Sequence, residues 1–216
     1  MEPKSTNGKM KGRISAVAAR LLGELGYDGT TYRMIADELG IAKSVITYHF
    51  KSKPLMVSGI FEGYGAELRE YVRANLKCSF NYYLFHCIVH ICLYRAAMAT
   101  DAVREVFFHK EIFGLWSGGK LGLVESCFRD IADDFKKELT GEDIHAIAVM
   151  NQGAKQSLYQ EFLQDPGALP VDRFCYHCTY LLGVLSRLDE STIQKNIERA
   201  YDFVETHAVP KLDMLS

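Results

Sequence analysis

A chain of 216 residues that is 48% hydrophobic can bury a substantial core. Its most apolar stretch, 84–99, is interrupted by His86, His90 and Arg95, and Met1–Lys11 has no apolar segment behind its lysines; we therefore expect no membrane span, no secretory signal and a cytoplasmic location. The net charge of −2 is unevenly distributed, since residues 1–53 hold 9 Lys and Arg against 5 Asp and Glu, and the remainder 16 against 22, so a polyanion would bind the N-terminal end.

Helical periodicity dominates the whole chain. Apolar residues recur every three to four positions, and no run of β-branched residues alternates with period two, so we expect an all-α fold. The first helix carries an apolar stripe from Ile14 to Leu25. It is predicted to end at Gly26, because glycine commonly terminates helices.

Two short helices are predicted next. Thr30 or Thr31 can cap the first of them, which Gly40 ends. The other covers about 42–50 after a connection of only a few residues. Ser52 is then expected to cap a fourth helix.

The remainder is predicted to be helical as well, which gives nine to ten helices in total. Gly, Pro, Ser, Thr and Asp residues separate the candidates. Ser191 and Gln194 are expected to form a capping box at the start of the last helix. We expect two domains, at 1–53 and at 54–216, the second of them the larger. The predicted later helices are 54–76, 80–98, 101–115, 120–138, 142–164, 171–187 and 191–208.

The two short helices joined by a glycine-containing turn form a helix-turn-helix pattern. In this motif the second helix lies in the DNA major groove. The residues predicted to face DNA are Lys43, Ser44 and Thr47, and the inward set is predicted to come from Val45, Ile46 and Phe50.

The same segment resembles the N-terminal signature of the TetR family of transcriptional regulators in order and spacing. The Tyr-His-Phe run followed by Ser-Lys is the most specific part of the resemblance. The matching residues are Ile14-(x3)-Ala18-Ala19-(x2)-Leu22, Gly26-Tyr27, Thr30-Thr31-(x3)-Ile35-Ala36, Leu39-Gly40-Ile41 and Ile46-Thr47-Tyr48-His49-Phe50-(x2)-Lys53.

The resemblance implies a three-helix DNA-binding domain, a linking fourth helix and a homodimer that leaves its operator when a small-molecule effector binds. Thr47 departs from the family pattern, which often has a tyrosine there. Alternative roles remain: His49 packs beneath the helix, Tyr48 covers the core, and Lys43 and Lys53 are solvated. The implied DNA contacts are Thr31, Arg33, Lys43, Ser44, Thr47, Tyr48, His49 and Lys53.

Beyond residue 76 the signature ends, and only aromatic residues suggest a ligand cavity. Apolar pockets with a few polar tips suit flat or apolar small molecules. Ordinary core packing is the alternative for each residue. The candidate ligand-binding residues are Tyr82, His86, Tyr94, Phe107, His109, Phe113, Trp116, Phe128 and Tyr159.

A metal site is the sharper alternative. His86 and His90 share one helical face, and Cys175, His177 and Cys178 cluster on another helix, so a tetrahedral site is chemically conceivable. The cysteine spacing is not that of a usual zinc site, and we expect no metal or cofactor. All six cysteines are interpreted as reduced core residues.

Two late helices, near 142–164 and 171–187, are predicted to form the dimer interface. A two-fold dimer predicts a near-palindromic operator in double-stranded DNA. Packing within one subunit is the alternative for Gly153, Ala154 and Gly183. The candidate interface residues are Ile144, Ile147, Ala148, Asn151, Ala154, Leu158, Phe174, Leu181, Val184 and Leu185.

No phosphate loop, nucleophile elbow or prominent carboxylate pair predicts an enzyme. The alternative function is a small-molecule- or metal-binding helical protein, catalytic or not, that no longer reads a specific operator. In the fourth helix Gly59, Gly63 and Gly65 each weaken the helix by about 1 kcal/mol relative to alanine. They predict either a bend or close packing.

Overall fold

The computed structural model describes residues 4–76, 80–112, 115, 121–165, 167 and 169–215. Across these residues the regular structure is helical and includes no strand, which confirms the all-α expectation. The elements are α1 (Lys4–Gly29), α2 (Tyr32–Leu39), α3 (Lys43–His49), α4 (Lys53–Asn75), α5 (Tyr82–Ala97), α6 (Asp101–Phe108), α7 (Leu121–Asp134), α8 (Gly141–Gln164), α9 (Val171–Leu185), α10 (Glu190–Thr206) and a terminal 3₁₀ turn (Asp213–Leu215).

The described residues form two compact units. The first unit draws on 1–66, 96–116 and 211–216, and the second on 67–95 and 117–210. Helices α1, α2 and α3 belong to the first unit, and α7 to α10 belong to the second. The predicted domain boundary at residue 53 is defined by DNA binding rather than by compactness. It therefore stays a prediction.

Helix α1 is interrupted where the sequence predicts its end. Gly26 has φ 71° and ψ −176°, a backbone conformation that residues with a Cβ rarely adopt. Upstream of this break, Ile14, Ala18 and Leu22 have no exposed surface. The apolar stripe of α1 is therefore the centre of the N-terminal core.

The turn between α2 and α3 depends on caps at both ends of α2. Thr31 is the N-cap, and its hydroxyl accepts a hydrogen bond of 3.3 Å from the backbone N–H of Met34. Gly40 ends the helix with φ 63°, in the left-handed region that glycine adopts without steric cost. Helix α3 begins three residues later, and Ile46 is fully buried. The motif thus has the predicted helix-turn-helix arrangement.

Three predicted helix boundaries are wrong. Helix α7 ends at Asp134 rather than at 138, and Lys136 beyond it has φ 52°. Helix α6 ends at Phe108 rather than near 115, because His109 takes ψ 132° and leaves the helical conformation. The N-cap of α10 is Asp189 rather than Ser191, and its carboxylate accepts the backbone N–H of Thr192 at 2.9 Å. Aspartate caps helices as well as serine does, so the helix begins at the earlier of two competent residues.

Large aromatic side chains fill the second unit. Its fully buried residues include Tyr83, Phe128 and Phe174. Helix α9 comes very close to its neighbours at Gly183, where an added Cβ would lie 2.6 Å from Tyr83 Oη and 2.7 Å from Ile193 Cγ1. Gly183 is therefore required for packing within the subunit. This is the alternative to a role in the dimer interface.

The cysteines in the described part of the chain are free thiols. Four of them are buried, and Cys127 is half-buried; Cys78 lies outside the described residues. Burial raises the pKa of the Cys87 thiol to about 12, which suppresses the reactive thiolate. These thiols fit the predicted role in the core.

In the part of the chain that the structure describes, no single helix is long and apolar enough to cross a membrane. The consecutive helices α5 and α6 together have the length and composition of a membrane span, and a bent break separates them.

Candidate nucleic-acid interface and ligand site

Helix α3 presents one polar face to solvent. Lys43, Ser44, Thr47 and Tyr48 are exposed, and Tyr48 retains 74% of its accessible surface. On the opposite side, Ile46 and Phe50 are buried, while Val45 and His49 are half-buried. This orientation matches the predicted division into outward and inward residues. An aromatic side chain so exposed has no packing role in the isolated chain.

Two contacts organise this exposed face. The hydroxyl of Thr47 donates to the backbone oxygen of Ser44 at 3.0 Å, and the rings of Tyr48 and His49 meet edge to face at 5.3 Å. The exposed ring of Tyr48 is thus held beside a half-buried imidazole. Both side chains remain available to a partner at the helix surface.

Helix α2 adds a cap and a cation to the same motif. Thr31 is exposed as well as being the N-cap. The Arg33 side chain is 86% exposed, and its Nε lies 3.7 Å from the carboxylate of Asp37. An ion pair this exposed contributes little stability, so the guanidinium can exchange it for a phosphate.

Lys53 has protein partners in the free chain. Its ammonium donates to the backbone oxygen of Tyr27 and lies 4.0 Å from the centre of the Tyr27 ring. Partial burial lowers the pKa of Lys53. Its predicted phosphate contact would require the ammonium to exchange or share these partners.

Substitutions of Thr31 should separate its capping role from its predicted DNA contact. Thr31→Asp keeps an N-cap oxygen but places a negative charge at the predicted phosphate, so we expect retained stability and at least tenfold weaker DNA binding. Thr31→Ala should cost about 1 kcal/mol of stability. Urea unfolding and fluorescence anisotropy with labelled DNA measure the two effects, and Thr31→Ser is the matched control. Undiminished DNA binding by Thr31→Asp would remove Thr31 from the interface.

Two of the predicted ligand-binding residues belong to the first compact unit. Phe107 meets Phe61 edge to face at 5.1 Å. His109 stacks on Tyr27 at 3.8 Å between ring centres, and its Nε2 lies 3.9 Å from a carboxylate oxygen of Asp28. Both side chains already have partners in this core.

Other predicted ligand-binding residues meet in the second unit. Tyr82 stacks on His86 at 6.4 Å, and Tyr94 meets Tyr159 at 6.0 Å. Phe128 is fully buried in the same unit. The predicted residues Phe113 and Trp116 lie outside the described residues.

Two buried polar residues of α8 were not predicted from the sequence as ligand-binding candidates. Asn151 was assigned to the dimer face, and Lys155 to no site. The structure buries both, with 1% and 6% of their surfaces exposed. One signal in the sequence could have identified these residues. Asn151, Lys155 and Tyr159 are spaced four residues apart and therefore share one helical face.

The residues of the metal alternative are distributed along α5 and α9. Cys175 and Cys178 are buried, whereas His177 is half-buried. Within the described ranges, no three His, Cys, Asp or Glu side chains are grouped so that they can hold a metal ion.

The exposed apolar face of α8 and α9 differs from the predicted one. Ile144, Ile147, Ala148 and Asn151 are buried within the subunit, as is Phe174, because these positions supply the core of the second unit. Four of the other predicted residues, Ala154, Leu158, Leu181 and Val184, line a mainly apolar groove on the two helices. Its further lining residues are Glu161, Leu169, His177 and Tyr180.

Comparison with known families identifies the N-terminal segment. Residues 14–57 match the model of the family described as bacterial regulatory proteins, tetR family. This segment includes α2, α3 and the start of α4, and therefore contains the helix-turn-helix geometry described above. No curated protein matches the chain.

Solved structures share the fold. The tetR regulator tylP from Streptomyces fradiae is 18% identical with a TM-score of 0.54, and the match covers 97% of this chain and 96% of that one. A transcriptional regulator from Rhodococcus sp. Rha1 is 12% identical with a TM-score of 0.52, covering 82% of this chain and 96% of that one. At these identities the likeness establishes the fold.

Proposed function

We propose that the chain is a transcriptional regulator of the tetR type, with the family's DNA-binding segment at residues 14–57, and that it is a repressor released from its operator by a small-molecule effector. It acts in the cytoplasm as a regulator rather than as an enzyme. We assign DNA binding to residues 1–53, and effector binding and dimerisation to residues 54–216.

The observation that carries this proposal is the exposed polar face of α3. Lys43, Ser44, Thr47 and Tyr48 project from a helix whose other side is anchored by Ile46. A helix seated in this way presents its N-terminal residues to base edges in the major groove. The proposed DNA contacts are Thr31, Arg33, Lys43, Ser44, Thr47, Tyr48, His49 and Lys53.

Effector release requires a conformational link along the chain. Helix α4 is continuous from Lys53, a proposed phosphate contact, to Asn75. Added Cβ atoms at Gly59 and Gly63 would meet no neighbour within 4 Å, so close packing does not explain these two glycines. We propose that they ease bending of α4. An effector must bind the conformation that does not fit DNA more tightly than the one that does.

A homodimer would position two copies of α3 on one operator. We propose that it forms through α8 and α9, along the groove that contains Ala154, Leu158, Leu181 and Val184. Two-fold symmetry then requires a near-palindromic site with half-sites about one helical turn apart, or a multiple of this distance.

Replacing Tyr48 tests the DNA-binding face with little effect on the fold. Tyr48→Ala should weaken binding to the selected operator at least tenfold, equivalent to about 1.4 kcal/mol, because a contact at the groove surface is lost. The free energy of unfolding should change by less than about 0.5 kcal/mol, as is usual at exposed positions. Anisotropy with labelled DNA and urea unfolding measure these quantities.

Two variants sharpen this experiment. Tyr48→Phe separates the hydroxyl contribution from that of the ring, and Leu123→Ala removes an apolar side chain that is 64% exposed on α7. Leu123→Ala should leave DNA binding unchanged. Equal affinities for Tyr48→Ala and the unchanged protein would contradict the proposed orientation of α3.

A further inference from the structure

The second compact unit contains a buried group of basic and polar side chains, several of whose polar atoms have no hydrogen-bond partner among the described residues. We call Lys155, Asn151, His86 and His90 the buried basic cluster. Lys155 and Asn151 lie one helical turn apart on α8, and His86 and His90 lie one turn apart on α5. The two histidine rings are 6.3 Å apart.

Three polar atoms of this cluster lack hydrogen-bond partners among the described residues. His86 Nε2, His90 Nδ1 and Asn151 Oδ1 are all buried and unpaired. Lys155 has only 6% of its surface exposed. Its Nζ lies 5.9 Å from the centre of the Tyr94 ring. Buried polar groups are nearly always paired, so this group is unusual.

The electrostatic surroundings favour a negative charge. Burial, together with the charges of Lys155, Arg73 and Arg69, lowers the pKa of His86 to about 4. Burial also lowers the pKa of Lys155. The carboxylate of Asp130, itself 39% exposed, lies 4.0 Å from His86 Nε2, too far for a hydrogen bond.

Aromatic rings lie beside the cluster. His90 stacks on Tyr94 at 5.7 Å, and Tyr159 stacks on Phe174 at 5.1 Å. Tyr94 also meets Phe174 edge to face at 5.3 Å. A ligand reaching Lys155 would therefore place its apolar part against rings, as amphipathic small molecules do in protein pockets.

We propose that the buried basic cluster binds the carboxylate of a small organic acid, whose apolar body packs against Tyr94, Tyr159 and Phe174. Lys155 pairs with the carboxylate, and the unpaired ring nitrogens of His86 and His90 donate hydrogen bonds to it when each carries the ring proton. Asn151 Oδ1 can only accept a hydrogen bond, so it does not contact the carboxylate. This inference deepens the proposed function, because it gives the effector a chemical class.

The test uses the full chain without DNA and four defined probes. Decanoate and 2-naphthoate carry the carboxylate, and decanol and 2-naphthamide are their neutral counterparts. Calorimetry should show that at least one acid binds at least tenfold more tightly than its neutral counterpart. Failure of both acids to bind, or equal binding of acid and neutral probe, would overturn the proposal.

Variants of Lys155 identify the group responsible. Lys155→Met should weaken binding of the acid at least tenfold and raise the melting temperature of the ligand-free protein, because it replaces an amine that burial removes from water with an apolar side chain of similar size. Lys195→Met removes an exposed lysine from the same unit and should change neither quantity. Lys155→Gln is the second variant if the methionine protein does not fold. Undiminished acid binding in the variant that folds would overturn the assignment to Lys155.

Operator binding by the unchanged protein is measured separately. Acid binding without operator binding would contradict the proposed function and leave the carboxylate site supported. Operator binding without acid binding would support the proposed function and contradict the carboxylate site.

Discussion

Replacing Leu158 with arginine is expected to convert the dimer to monomers and to weaken operator binding at least a hundredfold. Leu158 lines the apolar groove of α8 and α9, where dimer formation would remove a guanidinium from water among mainly apolar side chains. Burial of an unpaired charge is strongly unfavourable. Loss of the dimer also removes the gain from binding two half-sites together, which is on the order of 10²–10⁴ in affinity for linked sites.

Light scattering during size-exclusion chromatography measures the mass, and anisotropy with labelled operator measures the affinity. Gln160→Arg is the matched control, because it adds the same charge to an exposed position on another face of α8. It should remain dimeric and bind DNA. A Leu158→Arg protein that stays dimeric would place the interface elsewhere.

Replacing Gly183 with valine is expected to cause the largest loss of stability, about 3 kcal/mol, at the upper end of the usual cost of overpacking. The Cβ alone would lie 2.6 Å from Tyr83 Oη. That hydroxyl donates to the backbone oxygen of Thr179 at 3.0 Å, so it has little freedom to move. Urea unfolding measures the loss.

Gly59→Val is the matched control for this substitution. Gly59 is an exposed helical glycine, and an added Cβ would meet nothing within 4 Å. Its stability should therefore change by less than about 0.5 kcal/mol. Equal losses in the two variants would show that the close approach of α9 to its neighbours does not govern Gly183.

The N-terminal motif could be predicted because its determinants are local. Thr31 and Gly40 mark the ends of α2 through their own backbone chemistry, and Ile46 marks the buried side of α3 through its spacing. Such signals act within a few residues along the chain. The structure and the family match at 14–57 agree with this part of the prediction.

The end of α6 and the cap of α10 could not be predicted in the same way. At α10, Asp189 and Ser191 are both competent caps, so the local sequence does not decide between them, and the cap is Asp189. At α6, His109 stacks on Tyr27, a residue far away in sequence. Local patterns contain no information about such a contact.

The buried face of α8 was the least accessible to sequence analysis. This helix has apolar residues on more than one side, so periodicity alone does not distinguish the core from a dimer interface. Ile144 and Ile147 prove to be core residues, while Leu158 lines an open groove. Lys155 was assigned to no site, because lysine is almost always exposed and nothing in its local sequence marks it as buried.

The central claim, that this chain reads a specific operator, is tested most directly by selecting DNA from a random library with the unchanged full-length protein. We predict a near-palindromic sequence with half-sites about one helical turn apart or a multiple of it, bound with an affinity that falls steeply as salt rises. Retention of DNA with no preferred sequence would contradict the account.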